Sequence, residues 1–392
     1  MSARHVLRRV VVLAAAVGLP LLGACDAPSA ALPAPSTHAA AAPDTAFTLF
    51  LIGDAGANRG GAEPVLQALA RAAAAAPQRT LIAFLGDNAY PHGLPPLGSP
   101  LRADAERRLN LQLDVVRRTG ARALFLPGNH DWDHDAPDGR DAIRRQASYL
   151  TEKGGGRVQF LPAQGCPGPA VREAGSALRL VILDTQWWLR EAAKPTGPDS
   201  ACPADAPAEA AEQLRAAVAG ARGRHVIVLA HHPLASGGPH GGDFDWHDHV
   251  FPLRELDARL WIPLPGIGSL YPLARRRGVS AQDLSSKANV RMRQLIERAL
   301  AGAPLIYASG HEHSLQVIRG TAARYYLVSG SGTFDHTEPV EPIEGTLLAW
   351  RASGFMRLDV TADRRVRLAV IAVEGSGGAR ELFARWLTEA SS

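Results

Sequence analysis

The sequence predicts an α/β fold built in layers, and two observations carry that prediction. Apolar runs of strand length recur at 48–52, 80–85, 123–126, 178–183, 225–229 and 305–308, and helical stretches lie between several of them, at 62–76, 101–118, 139–150, 207–221 and 287–302. Continuous apolar runs are the mark of strands buried on both faces, and their alternation with helices is the pattern of a layered α/β domain. After Gly310 the texture shifts to strands alone, at 315–318, 325–328, 346–350, 355–360 and 366–373. No internal repeat is visible. A chain of 392 residues is ample for one large core, and 46% hydrophobic with 20% charged residues fits a globular chain rather than a disordered or multi-spanning one.

The elements follow in order from the N-terminus. Residues 1–24 read as a signal peptide: basic residues up to Arg9 precede an apolar run at 10–22. That run is shorter than the roughly 20 residues a spanning helix needs. It ends in Leu22-Gly23-Ala24-Cys25, which resembles the lipobox of bacterial lipoproteins, where the Cys is lipidated and becomes the first residue. The Arg8-Arg9 pair is only a weak twin-arginine signal. Residues 25–45, rich in Ala, Pro, Ser and Thr, form a tether. The folded domain is expected over 46–375, interrupted by an insertion at 235–286 rich in Gly, Pro, His and Trp, and a C-terminal helical segment over 376–392 has its amphipathic helix at 379–390. The chain is therefore expected to be exported and held at a membrane by its lipid, facing the periplasm or the cell exterior, as a monomer.

Charge and cysteine usage agree with this. The net charge of +4 includes Arg4, Arg8 and Arg9 of the signal segment, and without them basic and acidic residues nearly balance. A near-neutral chain with no basic run argues against a nucleic-acid-binding module. The remaining cysteines, Cys166 and Cys202, lie in Pro/Gly-rich loop sequence. In an oxidising compartment they are expected to form a disulfide.

The chemistry sits at the ends of the strands. Strand 48–52 runs into Gly53-Asp54-Ala55-Gly56, and strand 80–85 into Gly86-Asp87-Asn88-Ala89-Tyr90. Strand 123–126 runs into Gly128-Asn129-His130-Asp131, strand 225–229 into His231-His232-Pro233, and strand 305–308 into Gly310-His311-Glu312-His313. Ligands of open α/β sheets bind at the carboxyl ends of the strands. Each cluster alone is weak, since a His-x-His pair is more often surface than ligand. Five in succession would converge on one metal site.

The set resembles the purple acid phosphatase branch of the calcineurin-like metallophosphoesterases. That branch shows Gly-Asp-x-Gly, Gly-Asp-x-x-Tyr, Gly-Asn-His-Asp/Glu, Val-x-x-His and Gly-His-x-His in the same order, the fourth appearing here as Val228-Leu229-Ala230-His231. The resemblance implies a layered sandwich of two mixed β-sheets flanked by helices. It also implies two metal ions bridged by Asp87, one held by Asp54, Asp87, Tyr90 and His313, the other by Asp87, Asn129, His231 and His311. Many relatives place a His two positions after the first Asp, where this chain has Gly56. A phenolate suits Fe(III), so Tyr90 argues for iron at the first site, with Fe, Zn or Mn at the other.

The implied reaction is hydrolysis of a phosphate monoester. A metal-bound water loses its proton and attacks phosphorus in line between the two ions. No protein nucleophile is needed, and no Gly-x-Ser-x-Gly or Walker loop is present. His130 would stabilise phosphate charge or protonate the leaving alkoxide. His240, nine residues after His231, matches a His that purple acid phosphatases often carry beside their metals. His232 reads as a packing residue or as one that supports the ligands from behind, and His231 as the ligand. The cluster Asp243, Asp245, His247, Asp248 and His249 reads as a solvated loop rather than a third metal site. The apolar part of the insertion could be a lid, a membrane-facing patch or a small packed subdomain. A phosphodiesterase or nucleotidase on the same centre, and a non-catalytic metal-binding lipoprotein, are the alternative readings.

Overall fold

Strands with apolar side chains on both faces need cover on both sides, and the fold supplies it. The computed structural model describes residues 44–388 apart from 193, 195–196, 198–199 and 256–259. The signal segment, Cys25 and all but the end of the tether lie outside the described residues. One seven-stranded sheet contains β1 (Thr45–Ile52), β2 (Thr80–Phe84), β3 (Arg122–Phe125), β4 (Val158–Phe160), β12 (Gly354–Thr361), β13 (Val366–Val373) and β14 (Ala379–Trp386), in the order β14-β13-β12-β1-β2-β3-β4. The other contains β5 (Ala170–Ala174), β6 (Leu178–Ile182), β7 (His225–Leu229), β8 (Ile306–Ser309), β9 (Leu315–Arg319), β10 (Tyr325–Ser329) and β11 (Thr346–Trp350), in the order β11-β9-β10-β8-β7-β6-β5. Both sheets are mixed. The runs β1-β2-β3-β4 and β6-β7-β8-β10 are parallel, and antiparallel strands extend them.

The period-two alternation of a strand splits the core into two layers. Leu49, Leu51, Ala83 and Leu85 face Leu180, Ile227, Leu229 and Ala308 between the sheets. Phe50, Ile52, Phe84 and Phe125, one residue out of phase, face the helices. Those helices are α1 (Pro64–Ala73), α2 (Arg102–Thr119), α3 (Gly139–Lys153), α4 (Thr185–Leu189), α5 (Pro207–Ala219), α6 (Trp246–Val250), α7 (Leu270–Arg276) and α8 (Lys287–Leu300). α6 and α7 belong to the insertion, and Pro272 is the one buried residue of the two helices. None of the described helices is long and apolar enough to cross a membrane. The disulfide Cys166–Cys202 is formed, with Cα atoms 5.4 Å apart, and joins the loop before β5 to the segment leading into α5.

The C-terminal expectation is corrected. Residues 379–386 form β14 rather than a helix, pairing antiparallel with β13. β13 is apolar on both faces, and its outer edge needs a hydrogen-bonding partner more than the following segment needs helical bonds. The turn Gly375-Ser376-Gly377-Gly378 joins the two strands, with Gly377 at φ 82° and Glu374 N–H donating to the Gly378 carbonyl.

Candidate metal centre

All five motif-bearing strands end on the same side of the sandwich, three from one sheet and two from the other. Their carboxyl ends meet because glycines let the backbones approach. A Cβ on Gly310 would stand 2.6 Å from Asp54 Oδ2, and one on Gly128 would strike the Asp87 carboxylate. Asp54, Asp87 and His311 each turn sharply out of their strands in the left-handed region, at φ 58°, 55° and 71°. Backbone of this kind is uncommon outside Gly, and Asp and His tolerate it better than most.

The side chains form two overlapping groups. The Tyr90 hydroxyl lies 3.0 Å from Asp54 Oδ1, 3.1 Å from Asp87 Oδ2 and 3.2 Å from His313 Nε2. His313 Nε2 is 3.4 Å from Asp54 Oδ1. In the second group, Asn129 Oδ1 sits 3.0 Å from His231 Nε2 and 3.1 Å from His311 Nδ1, and those two nitrogens are 3.2 Å apart. His231 Nε2 is also 3.3 Å from Asp87 Oδ2, so Asp87 touches both groups. The Asp87, Asp54 and His231 side chains are essentially fully buried.

The donor set fits a cation. His231 Nδ1 lies 2.8 Å from the Leu85 carbonyl, which fixes the proton there and turns the Nε2 lone pair into the site. That lone pair then faces a carboxylate oxygen and an amide oxygen, all acceptors. His311 brings Nδ1 to the same point, while its buried Nε2, across the ring, has no hydrogen-bond partner among the described residues. Potential ligand atoms of Asp54, Asp87 and His231 all lie within 4.8 Å of one another, as do those of His231, His232 and His311.

Residues 47–262 match the calcineurin-like phosphoesterase family. The chain belongs to this family. It is thereby a metallophosphoesterase, a hydrolase of phosphate esters. GAP50, the anchor in the inner membrane complex of Plasmodium, superposes with a TM-score of 0.53 at 14% identity, over 87% of this chain and 88% of that one. PhoD superposes with a TM-score of 0.50 at 12% identity, over 92% and 74%. A dimetal phosphatase from Danio rerio gives 0.44 at 13% identity, over 89% and 100%. At such identities the likeness to GAP50 and PhoD concerns the fold. No curated protein matches the chain in sequence.

The electrostatics of this phosphoesterase site call for positive charge. Burial alone would raise Asp87, but the charges of His231 and His130 and their hydrogen bonds hold it well below the usual carboxylate range. Burial would lower His231, yet Asp87 pushes it up to about 9. A cation between them would take over the role of that proton. Burial, then Asp54 and Asp87, drive the Tyr90 phenol well above its ordinary value, so a phenolate there requires a cation as neighbour.

The other sequence-predicted residues fall as follows. His130 donates its backbone N–H to Asp87 Oδ1 at 2.9 Å, and its ring stacks on Tyr90 with centroids 4.0 Å apart, at the mouth of the site. His240 packs its ring 4.0 Å from His311. His232 has both ring nitrogens engaged, by Thr185 Oγ1 at 2.7 Å and Gln282 Oε1 at 2.6 Å, which agrees with a packing role despite its nearness to His311. In the insertion, Asp245 and Asp248 form the capping box of α6 and His247 leans on Asp245. Gly56 has the Asn88 backbone directly against it, so no ligand side chain could stand there.

Several residues of the site were not picked out by sequence reasoning. Asp131, the fourth residue of Gly-Asn-His-Asp, accepts from the backbone N–H groups of Gly128, Asn88 and Ala89 and from Gln146 at 2.8–3.1 Å. It ties the β2 and β3 loops together; burial, then Asp87, push it up to about 7. Glu338 lies 3.1 Å from His313 Nδ1, and Asp283 lies 3.2 Å from His240 Nδ1. Arg275 of α7 bridges to Asp283 at 2.8 Å and to His240 at 3.0 Å. Glu312, between the two motif histidines, accepts from Gly241 N–H at 3.1 Å and so holds the loop that carries His240. The motif residues Asp131 and Glu312 had a usable signal in their position; Glu338 and Asp283 lie in loops with no spacing to mark them.

Proposed function

We propose that the chain is a phosphomonoesterase of the purple acid phosphatase kind, with two metal ions. Asp54, Asp87, Tyr90 and His313 would hold one, preferably Fe(III), and Asp87, Asn129, His231 and His311 the other, Fe, Zn or Mn. The observation that carries this reading is Tyr90, whose hydroxyl sits 3.0–3.2 Å from two carboxylates and an imidazole while Gly56 offers no ligand. When bound, such ions supply Lewis-acid activation of water and neutralise phosphoryl charge.

The chain's own residues do the rest. Asp87, accepting from the His130 backbone, keeps the two groups in register. The His130 imidazole, at the mouth and braced by Nδ1 at 2.8 Å from the Pro91 carbonyl, is placed to hold a phosphoryl oxygen or to give a proton to the leaving alkoxide. His240 backs the second group against His311, with Asp283 and Arg275 fixing its ring. Export as a lipoprotein through Cys25 belongs to the same reading, and the Cys166–Cys202 bond is of a kind that persists chiefly in oxidising compartments.

Spectroscopy of the purified oxidised protein tests the proposal. It should contain iron and show a visible phenolate-to-iron absorption band, hydrolyse an aryl phosphate monoester faster than the corresponding diester, and lose the band in Tyr90→Phe. A colourless protein holding stoichiometric Fe(III) would contradict the Tyr90 assignment, and a preference for the diester would refute the monoester reading.

A further inference from the structure

Of the eleven large apolar side chains that stand exposed among the described residues, seven lie between 246 and 279, among them Trp261, Ile262, Ile267, Leu270 and Leu273. Isolated exposed apolar residues are ordinary, whereas a cluster marks a contact surface. Ile267, Leu270 and Leu273 are spaced by three, and α7 sets Leu270 and Leu273 along one side. The opposite side of α7 turns inward: Pro272 is buried and Arg275 reaches Asp283 and His240. A single short helix therefore presents an apolar face outward while gripping a histidine that stacks on the metal centre.

The charge pattern says what the face meets. Residues 246–279 carry five arginines against three acidic residues, Asp248, Glu255 and Asp257, and Arg276 and Arg277 are exposed. Tryptophans, aliphatic side chains and flanking arginines are the composition of a surface that lies in the headgroup layer of an anionic bilayer. The chain outside the described domain points to the same occupant. About 20 residues separate Cys25 from the start of β1, enough for an average reach of about 25 Å and a limit near 65 Å. β1 itself spans about 27 Å at the usual rise per residue, so the tether can let the far end of the sandwich, where the metal centre opens, face the membrane.

We propose that the face formed by Trp246, Trp261, Ile262, Ile267, Leu270 and Leu273 seats itself in the interfacial layer of an anionic lipid bilayer, so that the metal centre opens onto phosphate esters presented at that surface. The substrate class rests on the phosphoesterase reading above, whereas the membrane contact rests on the exposed face and on the lipid anchor at Cys25. The lipidated full-length chain is reconstituted on protein-free vesicles of phosphatidylethanolamine and phosphatidylglycerol with brominated acyl chains. Tryptophan emission is expected to be quenched, and Trp246→Phe with Trp261→Phe should remove most of the quenched amplitude. Absent quenching, equal quenching in the double variant, or quenching that appears only when membrane proteins are added would overturn the proposal.

A second pair of variants, Leu270→Ser with Leu273→Ser, changes only exposed side chains. Turnover of a phosphate monoester carried on a two-chain lipid should fall about tenfold, given the apolar area removed from the interface. Turnover of a water-soluble aryl phosphate should stay as in the wild type. An equal fall on both substrates would refute the role of the face. Absence of turnover on either substrate in the wild type would instead count against the phosphoesterase reading, while the quenching would still decide the membrane contact.

Discussion

At the residue scale, the centre depends on side chains that hold other side chains. Asp54, Asp87 and His311 occupy left-handed backbone that costs of order 1 kcal/mol or more per residue. Interlocking hydrogen bonds offset that cost, including His311 N–H to Asp54 Oδ2 at 2.8 Å and Gly53 N–H to the Ser329 carbonyl at 2.7 Å. Glu338 adds an ion-pair contact, its carboxylate 3.1 Å from His313 Nδ1 while Nε2 of the same ring faces Asp54 and Tyr90. Partners of this kind typically contribute about 10–100-fold to metal affinity. Glu338→Gln should therefore weaken metal binding by that order in a chelator competition, with the circular dichroism spectrum unchanged. Wild-type affinity in the variant would show that the contact does not orient the ring. The residues proposed as ligands were legible in the sequence because they fall in short motifs just after strands, four of the five motifs opening on a glycine. Glu338 was not, because a loop residue that reaches back to a ligand is placed by tertiary packing alone.

At the element scale, buried carboxylates make stability depend on pH. Asp184 caps α4, accepting from Trp187 N–H at 3.0 Å and from the Trp132 indole at 2.8 Å. Burial pushes its carboxyl up to about 7 despite these bonds. In the unfolded chain the group titrates near its ordinary value of about 3.9. Between those values the folded state keeps a proton that the unfolded state loses, so the stability this group contributes is fully present below about pH 4 and is lost as pH rises through about 7. Asp184→Asn, which cannot ionise, should show a smaller fall in Tm from about pH 5 to about pH 8 than the wild type. An identical slope would mean that the group ionises without cost. The elements themselves were mostly readable: β6, β7 and the five main helices lie close to where the apolar runs put them. The segment 379–390 was not, since its spacing suits a helical stripe and only the Gly-rich turn before it hinted at a hairpin. The short polar strands β4 and β5 left no run to see.

At the scale of the whole molecule, two mixed sheets packed face to face bring five loops together that are far apart in sequence. The order of motifs was visible in the chain, and so was the side of the sheets on which they gather, because parallel strands put all their carboxyl ends together. The apolar insertion was visible as a segment, but its outward face was not, since periodicity in a loop of short helices does not say which side is covered. Location is a property of the full chain as well. If Cys25 carries the lipid, wild type should partition with membranes and Cys25→Ser should leave the lipid-anchored fraction. Identical distribution of both into the soluble fraction would leave only a cleaved signal peptide.

The central claim is that Asp87 joins two metal ions in one centre, and counting metal tests it most directly. Elemental analysis of the purified wild type should give about two ions per chain, as expected for a two-metal clamp. Asp87→Asn, whose amide tolerates the left-handed backbone, should lose both ions together with turnover while remaining folded. A variant that keeps two ions and near-normal turnover, or a wild type that binds none, would contradict the account.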